Sequence, residues 1–157
     1  MAYIIEDTDN LDYHTDLKTL LKPLRPFVPK YKWLLTNQEY IVLDYKKKGN
    51  IYKLNFTDAK IEFSGEEFMS IFLERDIQFI WGVFSAFKNE IPNLSTSNLP
   101  FADGNSDIWE KPDEFLTTES EIEIICFDSS ATIVKFKDKE IERLFLDHFP
   151  EAELLIK

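Results

Sequence analysis

The chain is poor in the residues on which most site chemistry is built. Among 157 residues there is one cysteine, Cys126. A single thiol excludes an intramolecular disulfide and any all-cysteine metal site, and it points to a reducing compartment. The two histidines, His14 and His148, fall on separate predicted helices, and neither has another His or Cys at ligand spacing. No metal is therefore expected, and no cofactor. The four glycines are scattered, so no glycine-rich phosphate loop can form. No apolar run approaches the ~20 residues of a membrane span, and the first residues lack the basic and apolar regions of a signal peptide. The expectation is a cytoplasmic chain without a membrane partner. Positive charge is also scarce, with 18 Lys and Arg against 29 Asp and Glu and a net charge of −11. A phosphate backbone repels such a surface, which argues against nucleic acid as a partner.

What the chain does have is core material: 14 Phe, 6 Tyr and 3 Trp. A chain of this length suits one domain, here 1–157, and buries roughly two thirds of its unfolded surface without a staple. The clearest folding signal runs from Glu119 to Phe149. Ile122, Ile124 and Cys126 alternate with Glu121, Glu123, Ile125 and Phe127, as in a strand. Asp128-Ser129-Ser130 supplies turn chemistry, and Ala131 to Phe136 forms the returning strand of a hairpin. Asp138 then caps a helix whose stripe is Ile141, Leu144, Phe145 and Phe149, ended by Pro150.

Elsewhere the signals are shorter. Tyr3 to Ile5 reads as a strand. Asp12 or Thr15 caps a first helix with the stripe Leu17, Leu20, Leu21 and Leu24, ending near Leu21 or Lys22. Pro23, Pro26 and Pro29 make a stiff connector. Tyr31 to Leu35 and Tyr40 to Tyr45 read as two strands joined by the turn Thr36-Asn37-Gln38-Glu39. The lysines 46–48 with Gly49 and Asn50 read as a solvated hairpin tip, followed by a half-buried strand over Ile51 to Phe56 and a short one over Ala59 to Phe63. Ser64-Gly-Glu-Glu67 is a capping-box pattern opening a helix with Phe68, Ile71 and Phe72 on one face. Ile77 to Phe87 is the most apolar segment and reads as a central strand, with Gly82 a place for a bulge or a close backbone approach. Leu154 to Ile156 adds a short last strand. The sum is an α+β domain: a mainly antiparallel sheet packed against about three amphipathic helices.

Residues 89–107 are rich in Asn, Ser, Pro and Gly and are expected as a flexible loop; segments of this length are uncommon in compact domains and usually functional or disordered. Just beyond it, Trp109 and Phe115 sit among carboxylates. The acidic excess is concentrated here: residues 1–100 carry 12 basic and 14 acidic groups, residues 101–157 carry 6 and 15. The plainer reading of that excess is a solubilising surface; the sharper one is a docking face for a basic partner. Trp109 has the same two readings, a loop-pinning aromatic or an interface anchor.

No stretch of the chain carries a catalytic constellation. Cys126, Asp128 and Ser129 lack a nucleophile elbow and flanking glycines. Carboxylate pairs such as Glu66/Glu67 and Asp113/Glu114 are commonplace in so acidic a chain. No enzyme is expected, and no catalytic residue is assigned.

Several blocks taken in order carry a resemblance: Leu20-Leu-Lys-Pro-Leu-Arg-Pro-Phe27 with Tyr31-Lys-Trp-Leu-Leu35, Phe63-Ser-Gly-Glu-Glu-Phe68, Ala86-Phe87, Asp113-Glu-Phe-Leu116, and Ile124 to Ser130 with Lys137-Asp-Lys-Glu140. Over roughly residues 15–149 they resemble a family of small acidic bacterial proteins of unknown function, similar to the immunity proteins of polymorphic toxin systems. The chain departs from that pattern in residues 89–107 and at its end. The resemblance implies a non-catalytic protein that binds and neutralises one cognate secreted toxin domain, basic in charge, with a nuclease one candidate. For such a partner, Trp109 and Phe115 with the carboxylates Asp103, Asp107, Glu110, Asp113 and Glu114 around them in sequence are the best candidate binding patch, read from the residues themselves. The alternative is a stand-alone regulatory or housekeeping interaction module without a toxin partner.

Overall fold

A computed structural model of the chain describes residues 1–6, 8–46, 51 and 53–157. These residues form one seven-stranded antiparallel sheet and four α-helices. The strands are β1 (Ala2–Ile5), β2 (Lys32–Val42), β3 (Lys60–Phe63), β4 (Ile77–Phe87), β5 (Ile122–Phe127), β6 (Ala131–Phe136) and β7 (Glu153–Leu154), in the spatial order β3-β2-β4-β5-β6-β1-β7. The helices are α1 (Leu17–Leu20), α2 (Gly65–Phe72), α3 (Asp107–Glu110) and α4 (Lys139–His148). The α+β expectation holds, and no helix among the described residues is long and apolar enough to cross a membrane.

The first face of the sheet carries the main core. Trp33, Leu35, Phe79, Phe84, Ile122, Ile124, Val134 and Phe136 point to it, and α1, α2 and α4 lay their apolar stripes across it. Trp33 stacks on Phe68 of α2 with ring centroids 4.0 Å apart, and its indole N–H donates to the Val28 carbonyl at 3.1 Å. That bond lets a polar indole edge be fully buried without loss. The capping box at α2 is present in full: Glu67 N–H donates to Ser64 Oγ at 3.2 Å, and Ser64 N–H to Glu67 Oε2 at 2.8 Å. Gly65 stands against the Pro29 backbone so closely that a Cβ would come within 2.5 Å of it. Glycine is required there by approach, not by φ.

Four local expectations need correction. The first helix is capped by Asp16, not Asp12 or Thr15: its carboxylate accepts from Thr19 N–H at 3.3 Å, whereas Thr15 has φ 61° and binds the Phe79 carbonyl through its hydroxyl. Beyond α1, the proline-rich connector is two short 3-10 turns, Lys22–Leu24 and Val28–Lys30. Thr36-Asn37-Gln38-Glu39 does not turn the chain. It is an irregularity inside the single strand β2, with Asn37 at φ 53° and a register slip against β4. The described residues of 51–56 form no strand. Side chains tether that region instead: Gln38 Nε2 donates to the Asn55 and Asp58 carbonyls, and Phe56 stacks on Tyr40 at 4.3 Å. The expected basic tip at 47–50 lies outside the described residues.

The second face has three rows, set by the β4-β5-β6-β1 register. The polar row is Ser85, Glu123, Lys135 and Ala2. The aliphatic row is Val83, Ile125, Ile133 and Ile4. The aromatic row is Trp81 and Phe127, with Glu39 opposite Trp81 on β2. Trp81 reaches this face because the pairing slips by one between Tyr40–Phe79 and Glu39–Trp81, immediately before Gly82.

Two outcomes test this packing. Gly65→Ala must displace the Pro29 backbone and should lower stability by about 1–3 kcal/mol, the usual cost of overpacking, read from urea denaturation. The Glu67 carboxyl is held below its ordinary range, first by the Lys53 ammonium at 2.7 Å and then by the Ser64 N–H. A depressed carboxyl adds stability that is present above its unfolded value and lost as pH falls through its folded value. The difference in melting temperature between wild type and Glu67→Ala should therefore shrink as pH is lowered below the ordinary carboxylate range.

Candidate functional site

The segment from 89 to 117 crosses the second face and forms its roof. It contains one 3-10 turn, Thr96–Asn98, and the single-turn helix α3. Its attachments are made one residue at a time. Thr36 Oγ1 donates to the Pro100 carbonyl at 2.7 Å, and Asn37 Oδ1 accepts from the N–H groups of Ala102 and Asp103 at 2.8 and 3.0 Å. Ala102 and Ile108 are buried over the aliphatic row.

The strongest attachment lies over the polar row. Glu123 and Lys135 face each other across β5 and β6, with Lys135 Nζ 3.0 Å from Glu123 Oε1 and side-chain exposures of 0% and 1%. Neither charge sees water. Glu123 Oε2 accepts from the Leu116 and Thr117 N–H groups at 2.9 and 3.3 Å, and Lys135 Nζ donates to the Glu114 carbonyl at 2.6 Å. Burial pushes the Glu123 carboxyl up, opposed by the Lys135 ammonium and the two backbone amides. The pair and three backbone groups of 114–117 thus satisfy one another, and the acidic segment is fixed directly above them.

The seven residues expected to bind a partner all lie on this roof, with different surroundings. Asp107 is paired with Lys111 at 3.2 Å. Asp113 accepts from Ala2 N–H at 3.2 Å and lies 3.8 Å from the Met1 amino group. Glu114 contributes its carbonyl to Lys135 while its side chain is exposed. Phe115 is half-buried beneath Lys137, whose Nζ is 5.3 Å from the ring centre. Asp103, Glu110 and Glu114 are exposed and have no cation within ion-pair distance among the described residues. Trp109 is 37% exposed and stands edge-on to Phe127, centroids 4.9 Å apart. Its ring seats the roof on Phe127, which fits the loop-pinning reading, and part of it stays accessible.

A cavity of about 260 Å³ opens between 97–101 and 107–116, with Phe101, Phe115, Asp107 and Lys111 on its walls. The described residues contain no group of three or more His, Cys, Asp or Glu able to hold a metal. Cys126 is fully buried on the first face, and burial pushes its thiol far above the ordinary range, so the thiolate is suppressed. Ser129 belongs to a tight turn in which it and Asp128 have φ 53° and 49°, Ser130 N–H donates to the Phe127 carbonyl, and Ser129 N–H donates to the Ile80 carbonyl.

No family model, curated protein or solved structure matches this chain.

Sequence reasoning missed Trp81 and Phe127, which extend the Trp109 surface, and the Glu123–Lys135 pair beneath it. The hairpin alternation already put Glu123 and Lys135 on one face; their complete burial depends on a roof contributed from outside the hairpin. The pair's role has a direct check. Lys135→Met leaves an uncompensated buried carboxylate and should cost about 3–5 kcal/mol. Adding Glu123→Gln keeps an acceptor for the two amides and should recover about half of that loss or more. Denaturant unfolding of the two variants gives the comparison; equal losses in single and double variants would mean the charges do not act as a pair.

Proposed function

We propose that the chain is a non-catalytic cytoplasmic immunity protein that neutralises a cognate secreted toxin domain by binding it through the roof of the second face. The observation that supports the reading is the combination on the roof: an accessible Trp109 on α3, and on the same segment the exposed carboxylates Asp103, Glu110 and Glu114, none with a cation at ion-pair distance among the described residues. Interfaces draw affinity from a few desolvated aromatic anchors and orientation from complementary charge. A basic toxin domain, for example a nuclease, supplies the matching sign. The buried pair contributes rigidity, since a fixed surface loses less entropy on binding.

The environments of the acidic residues decide which substitutions are informative. Asp107 and Asp113 already have cationic neighbours, so reversing them disturbs the roof itself. Asp103→Lys, Glu110→Lys and Glu114→Lys change charge with little structural consequence. The test is co-purification of the tagged chain from its native cell at low salt, with the captured partner identified by mass spectrometry and its toxicity assayed with and without this chain. The expected result is a stoichiometric basic domain, toxic alone and silenced by the wild-type chain, with capture weakened about tenfold or more in the triple variant, as for lost interface charges. Capture and protection unchanged by the triple variant would remove this face from the interface. A chain recovered without a toxic partner would favour a regulatory module.

A further inference from the structure

The aromatic row of the second face has not been accounted for by the fold. Trp81 and Phe127 lie edge-on at 4.8 Å, and Phe127 and Trp109 edge-on at 4.9 Å, so three rings from β4, β5 and α3 form one continuous strip. All three are only partly buried. Three carboxylates neighbour the strip's residues, one by strand register and two by sequence. Glu39 is the direct cross-strand partner of Trp81, and directly opposed residues project from the same face. Glu110 follows Trp109, and Asp128 follows Phe127 in the turn that closes on Ile80. Glu39, Glu110 and Asp128 are exposed, and none has a cation within ion-pair distance among the described residues. The carboxylates come from three separate elements, so the arrangement is a property of the fold and not of one acidic run.

Aromatic rings with neighbouring carboxylates that have no cation at ion-pair distance favour one kind of occupant. An ammonium is attracted to both but is compact and strongly hydrated. A guanidinium is planar, more weakly hydrated, stacks on indole, and can donate to a carboxylate at its rim while its face lies on a ring. We infer that the Trp81–Phe127–Trp109 strip, with Glu39, Glu110 and Asp128, is the anchor site for an arginine side chain of a basic protein partner. This inference rests on the proposed docking face and names the chemistry it selects.

The test uses synthetic peptides and the full chain. Hexa-arginine and hexalysine are titrated separately at low salt and at 0.15 M salt, and tryptophan emission is followed. Hexa-arginine should bind about fivefold or more tighter than hexalysine, the contrast retained at the higher salt, and Trp109→Leu should weaken it by about fivefold or more. The triple variant Glu39→Gln, Glu110→Gln, Asp128→Asn should weaken it clearly more than a charge-matched set on other surfaces, Asp9→Asn, Asp12→Asn, Glu66→Gln. Equal affinity for the two peptides, or equal losses in the two triple variants, would reduce the binding to net charge and overturn the inference. These surface amides leave the core intact, so a folding defect in Trp109→Leu would not rescue the proposal. The peptide outcome is separate from the co-purification. A toxin captured by a chain that shows no arginine preference would sink this anchor alone, and an arginine-selective strip without a toxic partner would sink the immunity reading alone.

Discussion

A buried ion pair holds the arrangement of the second face. Glu123 and Lys135 are removed from water at the centre of a sheet surface, where two charges together cost more to desolvate than their attraction returns unless their remaining bonding capacity is used. Here it is used by the backbone of 114–117: two N–H groups on the carboxylate, one carbonyl on the ammonium. The dependence is mutual. Without the segment the pair would face water and the sheet would expose a polar row. Without the pair, three backbone groups of the segment would be buried unpaired.

From that constraint the rest of the face follows. With 114–117 fixed over the polar row, Ile108 and Ala102 settle on the aliphatic row, and α3 is delivered to the aromatic row, where Trp109 meets Phe127. The two faces of the sheet are thereby differently finished. The first is sealed by helices through large aromatic side chains. The second is covered by a roof that has little secondary structure of its own and is held by side-chain-to-backbone bonds from Thr36, Asn37, Glu123 and Lys135. Binding surfaces are commonly built in this way, on irregular segments positioned by a rigid scaffold.

Local signals in the sequence were reliable where the determining interaction is local. The β5–β6 hairpin, the capping box at Ser64 and Glu67, the cap at Asp138 and the central apolar strand are all set by residues within a few positions of each other, and all appear in the structure. The errors come from long-range partners. Asn37 resembles a turn residue, but its side chain is committed to Ala102 and Asp103, so the chain bulges and continues as one strand. The Asn55 and Asp58 carbonyls accept from the Gln38 side chain, a long-range bond that the local alternation over Ile51 to Phe56 does not reveal. Trp81 changes face through a register slip that alternation alone does not reveal. The acidic candidates were legible as a group from charge. Their division into carboxylates with and without a cation at ion-pair distance was not, because Lys111 and the Met1 amino group are brought to Asp107 and Asp113 by the fold.

Native-state hydrogen exchange of the isolated wild-type chain tests the organising role of the buried pair most directly. Leu116 and Thr117 lie in a segment without regular structure, and an ordinary surface loop would exchange their amides rapidly. If Glu123 and Lys135 fix that segment, the two amides exchange as slowly as those of β5 and β6, through global unfolding. Rapid exchange at Leu116 and Thr117 while β5 and β6 stay protected would contradict the account, because the roof would then open independently of the sheet on which it rests.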